Sequence, residues 1–219
     1  MRRRAGLDPA ETRSAVAHLV RRAVFGAPAD EIDELAALGY EGAVDRLLDG
    51  LDGDDPGADS VPAPEFRTLE ILGARQGTAE ERRAANARAG EERRALVLWW
   101  VQRMVAADRP IREKLTFLWH DHFATSLEKV SLAELLHRQY RTLYDLGPGR
   151  FDDLVGAVAR DPAMLVWLDG RESRVGAPNE NFSRELFELF TLGHAGAHAH
   201  HVGSAYSEDD VADAAWALT

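Results

Sequence analysis

The sequence contains no cysteine. Disulfides, thiolate metal sites and cysteine nucleophiles are therefore excluded, and cysteine usage carries no information about redox compartment. Long apolar runs are missing too: no uninterrupted stretch approaches the roughly 20 residues that a membrane helix needs. Met1-Arg2-Arg3-Arg4 is basic, but Gly6-Leu7-Asp8-Pro9-Ala10-Glu11 behind it is too polar for the core of a signal peptide. The chain as given thus reads as cytoplasmic, with export or an envelope location left open should the start lie further upstream. Positive charge is in short supply, 26 Lys and Arg against 37 Asp and Glu, for a formal net charge of -11. Such a balance argues against a broad nucleic-acid footprint, which needs clustered cations, and against docking on an anionic membrane. No phosphate loop, dinucleotide fingerprint or Gly-x-Ser-x-Gly setting occurs, and there is no internal repeat and no convincing strand.

Helical periodicity is what remains, and there is a great deal of it. The chain of 219 residues is 45% hydrophobic and 29% charged, enough for one domain, or one domain with a small appendage, around a real core. Val16, Leu19, Val20, Ala23 and Val24 recur at helical spacing over residues 10–25. Pro28 opens a second helix that stops at Gly39, and a third carries Val44, Leu47 and Leu48 as far as Gly50. Leu51 to Pro64, rich in Asp, Gly and Pro, predicts an exposed linker. A long helix starts near Thr78 and ends at Asp108-Arg109-Pro110. Further helices are expected over Arg112–Phe123, Leu132–Leu146 and Phe151–Ala159, then from the Asp161-Pro162 cap, from Pro178 to Leu192, and from Ser207. The expected fold is all-α, an irregular multi-helix bundle. Its expected organisation is an N-terminal helical segment at 1–50, an acidic Gly/Pro linker at 51–64 and a main helical domain at 65–219. That domain is expected to be incomplete, because Trp216-Ala217-Leu218-Thr219 ends inside an apolar helical pattern.

The polar residues that share faces with these apolar stripes are the candidates for function. At about 100° per residue, Phe182, Leu186, Leu189 and Phe190 of the Pro178–Leu192 helix share one face, with Glu185 at the edge of that apolar arc and Phe187 roughly opposite. A carboxylate in that position must be paired, hydrogen-bonded or protonated. Glu185 and Glu188, one turn apart, could hold a divalent cation or act as acid and base. Equally, Arg184 could pair with Glu180 and Glu188 along an i, i+4, i+8 row. In Trp119-His120-Asp121-His122 the two histidines diverge by about 200° on a continuous helix and cannot chelate one ion there. His120 shares a face with Glu113 and Thr116. Its expected partner is Glu113 or an acid of the Asn179–Glu188 stretch, as a carboxylate-oriented catalytic or metal-bound histidine or as a buried structural one. The candidate polar pocket is therefore Glu113, His120, His122, Asn179, Glu180, Asn181, Arg184, Glu185 and Glu188, with no catalytic residue, metal or cofactor assigned. His194, His198, His200 and His201 could bind a transition metal incidentally. Trp99, Trp100, Trp119 and Trp167 are expected as core or interface anchors.

Four segments carry a resemblance. They are His18-Leu19-Val20-Arg21-Arg22-Ala23-Val24-Phe25-Gly26, Arg112 to Ser126 around Trp119-His120-Asp121-His122-Phe123, Asp161-Pro162-Ala163-Met164-Leu165-Val166-Trp167-Leu168-Asp169, and Pro178 to Gly193 around Asn179-Glu180-Asn181-Phe182-Ser183-Arg184-Glu185-Leu186. Together they resemble the bacterial family catalogued as domain of unknown function 1800, over nearly the whole chain. The resemblance implies no reaction and no residue roles. It implies a neighbour, since members are often encoded beside alkaline-phosphatase-like proteins with twin-arginine export signals, and hence a protein partner and an envelope role. It also implies a longer chain, since members continue past this end, and it marks the histidines of 194–201 as a departure from a short Gly-rich turn.

Two functions follow as expectations. One is an accessory or scaffold protein that binds a protein partner. The other is a metal- or small-ligand-binding protein, hydrolytic in one version, with a His/Glu pocket between two helices. The second predicts that His120 and Glu185 approach each other across one cavity. The first predicts that they are separately satisfied, with no accessible pocket.

Overall fold

The computed structural model describes residues 8–193 and 206–219. Arg2-Arg3-Arg4 and the histidine cluster at 194, 198, 200 and 201 lie outside the described residues. The fold is all-α: the described residues form helices and turns, and their one β feature is an isolated bridge between Arg174 and Ala177. None of the described helices is long and apolar enough to cross a membrane. The chain divides into two compact units, Met1–Pro64 with Val97–Phe117, and Glu65–Leu96 with Leu118–Thr219.

In the first unit, α1 (Pro9–Ala23) begins at a capping box in which Asp8 and Glu11 satisfy each other's backbone N–H groups. Its Val16 and Val20, with Val24 just beyond its end, pack on Leu35 of α2 (Ala29–Ala37) and Ala43 of α3 (Gly39–Leu48). Gly39 joins those two helices at φ +75, a left-handed conformation that a side chain would strain.

The stretch 51–64, expected as an exposed linker, is mostly exposed and is tied down at Asp55 and Ala58. A helical turn, α4 (Pro56–Asp59), forms there, and the Asp55 that caps it is buried. The Asp55 carboxylate accepts the N–H groups of Ala58, Asp108 and Arg109 at 3.0, 2.9 and 2.9 Å. Asp52, Asp54 and Asp59 are exposed, whereas Asp55 is turned inward to serve N–H donors that would otherwise be orphaned. Gly57 is needed for close approach: a Cβ there would lie 2.1 Å from the Ala106 carbonyl oxygen.

The long helix α6 (Ala79–Ala106) brings Trp99 and Arg103 into this unit on one face, both buried. Arg103 is 3% exposed and its Nε donates to Oε1 of the fully buried Glu113 at 2.9 Å, while Trp100 Nε1 donates to Glu113 Oε2 at 3.2 Å. The remaining guanidinium donors reach the Ala58 carbonyl and Asp59. On the opposite face of the same turns, Val97, Leu98, Val101 and Val105 are exposed, Val105 by 82%. A helix segment that is apolar all round is one whose outward face expects a cover.

The second unit opens with α5 (Thr68–Ala74), a short helix whose only buried side chain is Ile71 and whose periodicity is too brief to stand out in sequence. Ile71 packs on Ala85 and Ala89 of α6. α7 (Pro110–His122) starts at the proline that fixes its first turn, and its last turn belongs to this unit. In α8 (Ala133–Leu146), Leu136, Gln139, Tyr140, Leu143 and Tyr144 are buried at three- and four-residue spacing. Leu143 joins a core made with α9 (Phe151–Val158), α10 (Pro162–Trp167) and residues Phe123, Phe182 and Phe190. A buried polar chain crosses that core. Thr125 donates to Gln139 Oε1 at 2.6 Å, and Gln139 Nε2 donates to Asp161 Oδ1 at 3.1 Å. The same Asp161 oxygen accepts the Ala163 and Met164 N–H groups as the cap of α10. Burial pushes the Asp161 carboxyl above the usual range, and these hydrogen bonds oppose it.

The helix expected to open at Pro178 opens later. Asn179 is the cap, accepting the Asn181 N–H, and α11 is Glu180–Glu185. From Leu186 to Thr191 the chain then winds as a π-helix, with Leu192 N–H donating to the Phe187 carbonyl five residues back and Thr191 Oγ1 donating to the Leu186 carbonyl. α12 (Glu208–Ala217) starts at the Ser207/Asp210 capping box, with Asp in the place more often held by Glu.

Candidate functional site

The π segment has a local consequence. Its wider turn redirects the side chains after Glu185 away from the projection of a regular helix, so Glu185, Leu189 and Phe190 come to line one cleft. The other walls are the end of α7 (Asp121, His122), the loop after it (Ala124, Lys129) and the end of α10 (Trp167, Leu168). The cleft measures about 640 Å³, within the range of small-molecule sites, and lies wholly inside the second unit.

His122 Nε2 is 3.0 Å from the Phe190 carbonyl oxygen. A carbonyl only accepts, so Nε2 carries the hydrogen and, in the neutral ring, Nδ1 carries the lone pair. The ring is held in an aromatic cluster, edge-on to Phe123 at 4.7 Å between centroids and to Trp119 at 5.8 Å. Trp119 is anchored in turn by its Nε1, which donates to the Gly147 carbonyl at 2.9 Å. Lys129 crosses the mouth: its Nζ bonds Asp169 at 2.8 Å and stands 6.0 Å from the Trp167 ring centroid, a cation–π distance. Glu185 is half-buried, and forms no hydrogen bond or ion pair with a described residue.

The expected pocket residues therefore separate. His122 and Glu185 meet at the cleft, whereas His120, the expected partner of Glu185, does not line it. Burial holds the His120 imidazole below its usual pKa, with Asp121 opposing the shift. Glu113 belongs to the first unit, where Arg103 and Trp100 take its two oxygens. Arg184 does not use the row of Glu180 and Glu188 for its hydrogen bonds. It forks onto Glu208 of α12, at 2.8 and 2.7 Å, and that partner raises the guanidinium pKa while its own falls. Glu188 is not a lining residue, because π winding moves it off the face that Glu185 occupies. Asn179 is structural: its Nδ2 donates to the Leu168 and Asp169 carbonyls, and its N–H donates to Ser173 Oγ. Glu180 and Asn181 are exposed at the start of α11. Among the described residues no three His, Asp or Glu side chains are grouped to hold a metal ion.

Lys129, Asp121, Asp169 and Leu168 were not legible as site residues, and Trp167 was read only as an anchor. Each comes from a helix end or a loop, and no periodicity relates them to Glu185.

The architecture and the cleft together define an all-α protein with an apolar-walled cleft in its second unit. A family model described as "Protein of unknown function (DUF1800)" matches residues 18–219, and the chain belongs to that family. No curated protein and no solved structure matches the chain.

Proposed function

We propose that this protein binds a small organic ligand in the cleft of its second unit. The observation that carries the reading is that Glu185, half-buried and without a partner among the described residues, shares an apolar-walled cleft of about 640 Å³ with His122. Ligand sites combine such apolar walls with a few convergent polar groups, and π-helical turns recur at functional sites. Binding is the activity that these observations support. The test is a thermal-shift screen of chemically diverse fragments against the wild-type chain and a Leu189→Trp variant. Leu189 is 62% exposed on the cleft wall, so the larger side chain fills space without disturbing the core. Fragments that stabilise the wild type and not the variant support the reading; equal stabilisation of both, or none of either, contradicts it.

A second reading, an accessory protein that binds a protein partner, is favoured by one observation in the first unit. Val97, Val101 and Val105 are exposed at four-residue spacing, on the side of α6 away from Trp99 and Arg103. The alkaline-phosphatase-like neighbour implied by the family resemblance is the partner to try first. A photo-crosslinking residue at Val101 captures that neighbour under this reading, and the same residue at the exposed Glu34 of α2 does not; adducts from both positions, or from neither, count against it.

A further inference from the structure

We propose that the cleft takes an organic cation, an ammonium or amidinium group on an aromatic or branched apolar body. The proposal rests on the small-ligand reading above and adds the charge and shape of the ligand. Three features of the cleft carry it.

The first is the balance of charge. Asp121 and Glu185 line the cleft against a single ammonium, that of Lys129, and Asp169 already balances that ammonium at 2.8 Å. His122 spends its Nε2 hydrogen on the Phe190 carbonyl. An anionic ligand would thus meet two carboxylates and a cation already paired, whereas a cationic ligand meets an acceptor in Glu185 that no described residue uses. Leaving a half-buried carboxylate without a partner is unfavourable, and a ligand ammonium removes that cost through a charge-assisted hydrogen bond.

The second is that the chain already displays this recognition. The Lys129 ammonium sits between a carboxylate, Asp169, and an aromatic face, Trp167, at 2.8 and 6.0 Å. An ammonium held by a carboxylate over an indole is the arrangement that an exogenous amine would reproduce between Glu185 and the same wall.

The third is the apolar lining. Leu168, Leu189 and Phe190 offer a surface for a ring or branched chain, and Leu189 projects into solvent enough to be covered by one. Covering that leucine supplies a hydrophobic contribution to binding that a bare metal or ammonium ion could not obtain.

The experiment uses three probes of one shape and different charge: 2-phenylethylamine, 2-phenylethanol and phenylacetate. Each is titrated at pH 7.5 and low salt into the full chain, following the indole N–H resonances by two-dimensional NMR, with the Trp167 signal assigned from a Trp167→Phe variant. The amine is expected to shift the Trp167 signal saturably, and more tightly than the alcohol or the acid. Glu185→Gln is expected to weaken the amine about tenfold, the worth of one charge-assisted hydrogen bond. Lys129→Met, which removes the resident cation, is expected to tighten it, a gain that partial unfolding cannot mimic. If the alcohol or acid binds as well as the amine at Trp167, the cation assignment falls and the cleft reading stands. Amine binding that is indifferent to both substitutions overturns the assignment to this cleft. No Trp167 shift with any probe overturns the cation proposal, and the fragment screen then decides the cleft reading separately.

Discussion

The imidazole of His122 donates through Nε2 to the carbonyl of Phe190 at 3.0 Å, so the last turn of α7 holds the π-wound end of the Glu180–Thr191 stretch. That contact joins two segments far apart in sequence and sets both walls of the cleft. Replacing His122 with Phe keeps the ring among Trp119, Phe123 and Phe151 but removes the donor. The expected cost is about 1 kcal/mol in urea-unfolding free energy, the net value of one such hydrogen bond. An unchanged midpoint would show that the contact does not hold the segment.

Burial lowers the His120 pKa in the folded chain below the value of about 6.5 that it takes when unfolded. The unfolded chain therefore binds the proton more readily. The contribution of His120 to stability is fully present above about pH 6.5 and is lost as pH falls through the folded-state value. Melting temperature should fall with acidification below pH 6.5, and His120→Gln should flatten that part of the curve. A wild-type-like slope in the variant would assign the acid sensitivity elsewhere.

Arg103 and Glu113 are the buried charge pair of the first unit, with side chains 4% and 0% exposed. Glu113→Gln leaves the guanidinium with neutral partners and the part-exposed Asp59. A loss of about 3–5 kcal/mol is expected in chemical denaturation, as for other broken buried pairs. Changing Arg103 and Glu113 together to Met and Leu should cost less than either charge-stranding single change; an additive double variant would contradict that coupling.

Gln139 links Thr125 to Asp161 through the core of the second unit. Gln139→Leu strands the Thr125 hydroxyl and removes a donor that favours the ionised form of Asp161. A loss of about 1–3 kcal/mol is expected, measured by thermal or urea unfolding, together with a further rise in the Asp161 pKa by carboxyl-carbon NMR. A lowered Asp161 pKa would show that Gln139 does not serve it as a donor.

The helices were legible wherever an end signal accompanied the apolar period. Asp161 and Ser207 cap the helices that follow them, and Pro110 and Pro162 sit in first turns. Short or tertiary-dependent features were not legible. Thr68–Ala74 has one buried residue, too little for a period, and Asp55 reads as a linker acid because its three N–H donors come largely from residues fifty positions away. The π segment was hidden for a different reason. Periodicity analysis assumes a constant angle per residue, and the change of winding at Leu186 breaks that assumption, although Leu186 and Phe190 still pack in the core with Phe182. At the site, Glu185 was visible as an acid at the edge of an apolar arc, and His122 as half of a His-x-His pair. Their meeting, and the roles of Lys129 and Trp167, depend on packing that no local pattern encodes.

The most direct measurement is a crystal structure of the full chain soaked with a fragment that stabilises the wild type and not Leu189→Trp. The account predicts the fragment between Trp167 and Leu189, with a polar atom within hydrogen-bonding distance of Glu185. A fragment seated elsewhere, or a Glu185 carboxylate satisfied by the chain itself, would contradict it.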